Sequence, residues 1–172
     1  RDARRSAAGQ VGGVLGAING ALVAGLRLPS IVVTLATMVT WREALRWQRQ
    51  GAFVNLPDSL QWLGLSQAAG QWTLVAVALV VLVALAWAMR HLAAGRFVYA
   101  VGTEAEAARL AGIRPRLVTF NTFVLLGALT GLAAMMNVAQ SPQVDPKSGT
   151  GLELKAIAAV VVGGVAISGG RG

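Results

Sequence analysis

Residues 72–89 read WTLVAVALVVLVALAWAM, a run of 18 residues without a charged side chain. A helix of about 20 mostly apolar residues is long enough to cross the hydrocarbon core of a bilayer. Two further uncharged runs meet or approach this length, Ala7–Leu26 and Val118–Val138. The chain is therefore predicted to be an all-α, polytopic helical membrane protein with three long membrane segments.

The composition of the whole chain agrees with a membrane location. Of its 172 residues, 55% are hydrophobic and 13% are charged, whereas soluble domains carry about 25% charged residues. The formal net charge of +8 comes from arginines that flank the apolar runs. This placement is typical of topology signals and headgroup contacts, so no nucleic-acid partner is predicted. Cysteine is absent and His91 is the single histidine, which excludes a thiol nucleophile and argues against a metal site.

Two shorter apolar segments bring the expected number of membrane-embedded segments to about three to five. Leu28–Trp41 has 14 residues before the next charged residue. It is either a helix that continues to Trp47, with its charges at the interface, or a re-entrant segment. The last apolar run, Ala156–Ile167, is interrupted by Gly163 and Gly164.

The charges predict which loops lie in the cytoplasm. Residues 90–117 carry five arginines against two glutamates, and such basic loops stay inside, which puts residues 42–71 outside. If residues 28–47 span the membrane, Arg27 is inside. Of the basic residues up to residue 116, six are then inside and six are outside. If they re-enter, Arg27 is outside, the N-terminal arginines are inside, and the division is eight to four. Charge favours re-entrance, and the sequence leaves both topologies open.

Glycines recur at helical spacing inside two of the long runs. Gly12, Gly16 and Gly20 are four residues apart, and Gly127 and Gly131 repeat that spacing. Small residues at this spacing share one helix face and let two helix backbones approach closely in lipid. They are predicted to pack helices together and to have no role in transport.

A short polar helix is predicted at residues 103–112, TEAEAARLAG. TEAE is a capping box, in which the Thr103 hydroxyl accepts a hydrogen bond from the Glu106 amide. Arg109 suits the C-terminal end of the dipole, and Gly112 can take the left-handed C-cap conformation. A helix about 12 Å long is marginal in water, so it is held by the flanking strand of chain GRFVYAVG, or by a partner, or is a connector that satisfies only its own ends.

Three stretches resemble a known transporter family. GRFVYAVGTEAEAARLAGI (95–113) resembles the cytoplasmic loop of ABC-transporter permeases, where an E-A-A element forms the coupling helix that docks on the ATPase subunit. SGTGLELKAIAAVVVGGVAISGGRG (148–172) resembles a segment of ribose-type permeases, and LRLPSIVVTLATMVTWREALRW (26–47) resembles their PxFIxTLxTMxxxRG region. The likeness covers about residues 11–172 and is to sugar-importing permeases, with branched-chain amino-acid permeases as more distant kin.

The resemblance implies a transport subunit that is not an enzyme. No cofactor is expected on this chain, which lacks a GxxxxGK[ST] phosphate loop; ATP and Mg²⁺ would be bound by a separate ATPase subunit. The other expected partners are a second permease subunit, identical or different, a periplasmic or extracellular solute-binding protein, and the bilayer. The location implied is the bacterial inner membrane, crossed several times. The residues implied in coupling are Gly102, Thr103, Glu104, Ala105, Glu106, Ala107, Ala108, Arg109, Leu110 and Gly112.

Residues 1–172 are expected to be part of a single transmembrane permease domain that is truncated at both ends. Relatives continue with further membrane helices, so this stretch is not expected to transport a solute alone. Glu43 departs from the family pattern, which usually has glycine after Arg42, and this puts the local packing in question.

A pathway for a sugar is expected to be lined by uncharged hydrogen-bonding groups. Polar groups in lipid are costly unless they are paired, so an interhelical hydrogen bond is the alternative role for each such residue. Glu153 precedes a glycine-interrupted apolar segment, a feature that marks binding sites in transporters, although the same stretch also suits a plain surface loop. The pathway candidates are Asn19, Asn121, Thr122, Thr130, Asn137, Gln140 and Glu153.

The transported solute is predicted to be a monosaccharide or a related small polar molecule. GAFVNLPDSLQWLG (51–64) most resembles rhamnose and autoinducer-2 importers, which favours one of those substrates. The alternatives are an ABC permease for another substrate, such as branched-chain amino acids, or a secondary transporter without an ATPase. A secondary transporter predicts acidic residues within the spans, and the three long runs contain none.

Overall fold

The computed structural model of the protein describes residues 2–49, 54–55, 67–140, 143–144, 149 and 151–164. These residues form seven helices and one short antiparallel ladder, which confirms the all-α class. In chain order the elements are α1 (Asp2–Leu26), α2 (Ser30–Arg49), β1 (Val54–Asn55), α3 (Gln67–His91), α4 (Ala93–Thr103), α5 (Ala105–Leu110), α6 (Pro115–Gln140), β2 (Gln143–Val144) and α7 (Leu152–Val162).

The two glycine-bearing helices, α1 and α6, form the main packing interface of the described chain. A methyl group built on Gly12 would lie 2.5 Å from the Gly127 carbonyl oxygen and 2.8 Å from the Gly131 Cα. One built on Gly16 would lie 3.0 Å from the Gly127 Cα. The backbones are therefore in direct contact, and the predicted packing role of these glycines is confirmed.

The order of these contacts makes α1 and α6 antiparallel. Gly12 meets Gly131, Gly16 meets Gly127, and Gly20 lies against Phe123 farther toward the start of α6. The end of α1 and the beginning of α6 therefore lie at the same end of the helix pair, and this end forms one face of the protein. This face also carries α5, because α5 directly precedes α6 in the chain.

Two helices of the described residues are long and apolar enough to cross a membrane, over Gly70–His91 and Pro115–Asn137. In the part of α1 whose side chains are described, the third predicted run is a shorter apolar stretch, Gln10–Leu26. Apolar side chains of α3 face outward, with Leu82 67% and Val80 65% exposed. A continuous apolar outer surface of this kind suits contact with lipid.

The tertiary structure places the two ends of α2 at opposite ends of the α1–α6 pair. Arg27, just before α2, lines the same cleft as Arg114 and therefore lies on the face that carries α5. At the other end of α2, β1 pairs with β2, Val54 opposite Val144, and β2 follows the far end of α6. The helix is unbroken between these faces. Arg27 therefore lies at the same end as the 90–117 loop, whereas the charge count favoured the opposite end. Among the described residues, α2 does not belong to the helices that are long and apolar enough to cross a membrane, so whether it spans or re-enters stays a prediction.

A one-residue break joins α3 to α4. Leu92 is extended between the two helices, with φ −86° and ψ 147°, so the chain bends there. Gly95 is buried there, and a methyl group on it would overlap the carbonyl group of Met89. The stretch 95–102, predicted as a flanking strand of chain, is thus helical in the structure.

Candidate functional site

The start of α5 is built by the end of α4. Thr103 is the last residue of α4, and its hydroxyl donates to the Tyr99 carbonyl over 2.9 Å. Glu104 is extended (φ −156°, ψ 100°) and occupies the N-cap position without a side-chain capping bond. Its carbonyl accepts from the Ala108 amide at 3.0 Å. The structure therefore places the N-cap at Glu104, where the capping-box prediction had placed it at Thr103, because Thr103 continues the preceding helix.

The end of α5 has the geometry that glycine permits. Gly112 has φ +84°, a left-handed conformation that side chains disfavour, as predicted. Its amide donates to the Arg109 carbonyl, and the Ile113 amide donates to the Ala108 carbonyl, each over 3.0 Å. These two bonds are the Schellman pattern, which satisfies carbonyls at a helix end. Pro115 then opens α6 at a first helical position, where its missing amide has no cost.

The short helix α5 is held by its own chain. It packs against α4 and α6, and Ala108, only 4% exposed, is the residue that it buries. The side chains around the rest of α5 are exposed, and Leu110 is exposed to 80%. Of the supports that the sequence suggested for α5, the flanking segment is confirmed, and it is a helix in the structure. The large apolar side chain of Leu110 is left uncovered.

One ion pair lies along α5. The Arg109 Nε atom donates to both carboxylate oxygens of Glu106, at 3.1 and 3.2 Å. The hydrogen bond to Glu106, with the attraction of its negative charge, raises the pKa of Arg109. Both side chains are exposed, so the pair orders the surface of the helix and adds little to stability.

A cleft of about 1040 Å³ lies between the end of α1, α5 and the first turns of α6. Ala105, Glu106 and Arg109 contribute the α5 side of this cleft. The cleft could not be predicted from the sequence, because its residues come from segments that are far apart in the chain. The local signal was the pair of arginines at helix ends, Arg27 directly after α1 and Arg114 directly before α6.

Asn19 is the pathway candidate with the most distinctive environment. Its side chain is half-buried, and its Oδ1 atom is buried without a hydrogen-bond partner among the described residues. It precedes Gly20, which contacts Phe120 and Phe123, so it lies at the same depth as the first turns of α6. The alternative role, an interhelical bond accepted by Oδ1, is not seen in this part of the chain.

The candidate hydroxyls of α6 bond to their own helix. Thr122 donates to the Val118 carbonyl at 2.9 Å, and Thr130 donates to the Leu126 carbonyl at 2.8 Å. Such back-bonding satisfies a hydroxyl within an apolar segment. Their exposed side chains remain accessible on the surface of α6.

The remaining candidates are spread over two helices. Asn121 and Asn137 are exposed at different depths of α6, and Gln140 is its last residue, whose side chain lies outside the described set. Glu153 is half-buried in the first turn of α7, after Gly151 with φ +84°. The structure brings Asn19 to the depth of Asn121 and Thr122 and keeps the others apart. None of the seven candidates lines the cleft beside α5.

Two further sequence expectations are settled locally. Glu43 is exposed and pairs with Arg46, one helix turn on, at 3.0 Å, so a side chain in place of the usual glycine has room. The glycine interruption after α7 is confirmed, since the helix ends at Val162 and Gly164 has φ +84°. Residues 165–167, the rest of that apolar segment, lie outside the described residues.

The comparisons with known proteins agree on one family. Residues 6–170 match the family described as "Branched-chain amino acid transport system / permease component". The autoinducer 2 import system permease protein LsrC of Klebsiella pneumoniae is 39% identical over 163 residues, 94% of this chain and 47% of the relative. The ribose import permease protein RbsC of Escherichia coli K12 is 34% identical over 172 residues, 97% of this chain and 54% of the relative.

A second autoinducer 2 permease, from Enterobacter, is also 39% identical, over 94% of this chain and 48% of its own length. The chain thus spans about half the length of the curated relatives that it matches. No solved structure matches it.

Proposed function

Because this chain belongs to the permease family of branched-chain amino-acid transport systems, among its ribose-type ABC members, we propose that it is the permease subunit of a binding-protein-dependent ABC importer. It crosses the bacterial inner membrane several times and translocates a monosaccharide or a related small polar solute. A separate ATPase subunit supplies the energy, a second permease subunit completes the pathway, and a solute-binding protein delivers the substrate.

The observation that carries this proposal is the exposed outer face of α5. The helix is fixed at its end by the Schellman bonds and buries Ala108 against its own chain. Ala107 and Leu110, three residues apart, are exposed on the surface of α5 next to the buried Ala108. A rigidly held helix with an uncovered leucine suits docking, because apolar anchors seated in a partner's groove provide most of the binding energy at an interface. We assign this face to the ATPase.

The experiment is disulfide cross-linking in a chain that has no native cysteine. In the full-length protein, Ala107→Cys is combined with single cysteines scanned across the co-expressed ATPase. A specific cross-link whose yield changes with ATP is the expected result. Ala108→Cys is the matched control, because the adjacent side chain is buried and is expected to remain unlinked. Ala94→Cys controls for exposure, since it is exposed at the far end of α4.

A result without cross-links from Ala107→Cys, with an ATPase that copurifies, would contradict the coupling role. The helix would then be a connector held by α4 and α6. A cross-link of equal yield from Ala94→Cys and Ala107→Cys would show that the contact is unspecific.

For the solute pathway, Asn19 is the residue that the environment favours. A buried carbonyl oxygen without a partner costs free energy of about 1–3 kcal/mol, and a hydroxyl group of a passing solute can satisfy it. Asn19→Ala is expected to lower the uptake rate of the assembled importer, with Thr40→Ala as a control whose hydroxyl already bonds to the Ala36 carbonyl of its own helix. Unchanged uptake by Asn19→Ala would remove this assignment.

Glu153, on α7, is a second pathway candidate. Its half-buried carboxylate, at the start of α7, is suited to accept from a sugar hydroxyl. Glu153→Gln and Glu153→Ala are expected to weaken uptake, and a wild-type uptake rate in both variants would exclude the role.

The printed names of the relatives support a class of substrate for the proposed importer. The matching autoinducer 2 permeases are 38–39% identical and the ribose permease is 34% identical, which supports an autoinducer-2-like or sugar solute, with rhamnose as a further candidate. The family description favours branched-chain amino acids as the alternative. Competition uptake with labelled autoinducer 2, rhamnose, ribose and leucine, in cells that lack their own importers, distinguishes these solutes.

A further inference from the structure

The cleft beside α5 carries an excess of positive charge. Arg27, Arg109, Arg114 and Arg116 line it, against the single carboxylate of Glu106. Arg109 is already engaged with that carboxylate. The two ion pairs of the described residues involve none of the other three arginines, so three guanidinium groups beside one cleft lack an acidic partner there.

Apolar residues line the part of the cleft next to the long helices. Val23 and Ala24 come from the last turns of α1, and Leu117 comes from the first turn of α6. The apolar stretch of α1 ends at Leu26, and that of α6 begins at Pro115. The cleft therefore lies at the level where the hydrocarbon of a bilayer gives way to its headgroups.

We propose that this cleft binds the phosphate of an anionic phospholipid headgroup. Basic pockets between membrane helices on the cytoplasmic side suit such headgroups, and the planar donor fork of arginine matches phosphate oxygens in pairs. Arg27, Arg114 and Arg116 provide the charge, and the acyl chains continue along the apolar surface beside Val23 and Leu117. The proposal rests on the chain's lying in a membrane and is independent of which solute it transports.

A lipid fits the cleft better than an acidic segment of the ATPase does. The exposed residues of α5 that suit docking, Ala107 and Leu110, do not line the cleft, so a partner seated on them has no need to enter it. An acidic peptide that did enter would meet Val23 and Leu117 with polar backbone, whereas a phospholipid offers both a phosphate and hydrocarbon.

The experiment measures phosphatidylglycerol bound to the full-length protein in neutral detergent by native mass spectrometry, with phosphatidylcholine of the same acyl chains as the neutral reference. The variant is Arg114→Gln/Arg116→Gln. The matched control, Arg90→Gln/Arg96→Gln, removes the same charge from the same loop at positions outside the cleft. We expect the affinity for phosphatidylglycerol to fall about 30-fold in the first and less than about twofold in the second.

Arg27→Gly is a third variant that is expected to fold. Arg27 has φ +57°, the one positive φ of a non-glycine residue in the described chain, and glycine adopts this conformation without strain. We expect about a fivefold loss of phosphatidylglycerol affinity with unchanged or higher thermal stability, so misfolding cannot account for the loss.

Three results would overturn the proposal. Equal losses in the two double variants would assign the binding to diffuse surface charge. Competition by inorganic phosphate as strong as that by phosphatidylglycerol would assign the cleft to a free phosphate ion. Loss of the copurified ATPase in Arg114→Gln/Arg116→Gln, with phosphatidylglycerol binding unchanged, would assign the cleft to the protein interface. If the importer assignment fails instead, lipid binding is still expected, since it does not depend on the ATPase.

Discussion

Gly16 and Gly127 face each other across the α1–α6 interface, so closely that a methyl group on Gly127 would lie 2.7 Å from the Gly16 Cα. Two helices reach this separation only where neither has a side chain. The contact sets the antiparallel register of α1 and α6. It thereby brings Arg27, at the end of α1, beside Arg114 at the start of α6.

Gly127→Ala is expected to destabilise the protein by about 1–3 kcal/mol, because the new methyl group meets backbone atoms that cannot move aside independently. Gly13→Ala is the matched control in α1. A methyl group there has nothing within 4 Å, so the better helix propensity of alanine is expected to raise stability by up to about 1 kcal/mol. The free energy of unfolding, from titration with a denaturing detergent, measures both. Equal effects of the two substitutions would contradict the close contact.

Gly112→Ala is expected to cost about 1–2 kcal/mol, because alanine must adopt the left-handed conformation that closes α5. Gly112→Asn is expected to cost less, since asparagine tolerates that conformation better. The thermal unfolding midpoint measures the effect, with Gly25→Ala as a control at a helical position with open space around it. A Gly112→Ala midpoint equal to that of the wild type would show that φ at this residue is not positive.

Leu110→Ser is expected to leave stability within about 0.5 kcal/mol of the wild type, since the side chain is largely exposed. If the ATPase docks on α5, its affinity is expected to fall about tenfold or more. Leu152→Ser is the control, because Leu152 is also exposed, to 60%, but lies on α7. Binding of detergent-solubilised permease to immobilised ATPase measures both variants, and equal losses would argue against a specific α5 contact.

Glu106→Gln removes the group that raises the pKa of Arg109. When folding raises the pKa of an arginine, the folded state is stabilised at any pH below the ordinary pKa of arginine. This stabilisation is lost only as the pH rises through the folded-state pKa. Arg109 therefore stays charged near neutral pH in both proteins, and the variant is expected to change neither the pH profile of stability nor its value at high salt. Thermal unfolding across neutral pH checks this, and a pH-dependent difference would show that Glu106 has another titrating partner.

Much of the local structure is readable in the residues themselves. The apolar runs around Trp72–Met89 and Val118–Val138 predict α3 and α6, and glycine at 112 predicts the left-handed end of α5. These features depend on neighbours within a few residues, so the sequence carries them directly. The N-cap of α5 was misplaced by one residue, because Thr103 serves the preceding helix, and α4 itself was not predicted.

Among the site residues, local patterns were less informative. The glycines of α1 and α6 were assigned correctly to packing, since spacing alone places them on one helix face. The unpaired Oδ1 of Asn19 and the burial of Ala108 could not be predicted, because each depends on which helix lies opposite.

The sequence by itself determined that the chain is helical and apolar enough for a membrane, and that a short polar helix lies between two of its apolar segments. Hydropathy and helix termination act over short distances, so neighbouring residues decide these features. The tertiary structure alone decided on which face Arg27 lies. A count of loop charges favoured the opposite face, but the backbone contact of Gly16 with Gly127, more than 100 residues away, orients α1 against α6. Only that long-range packing gathers arginines from separate segments into one cleft.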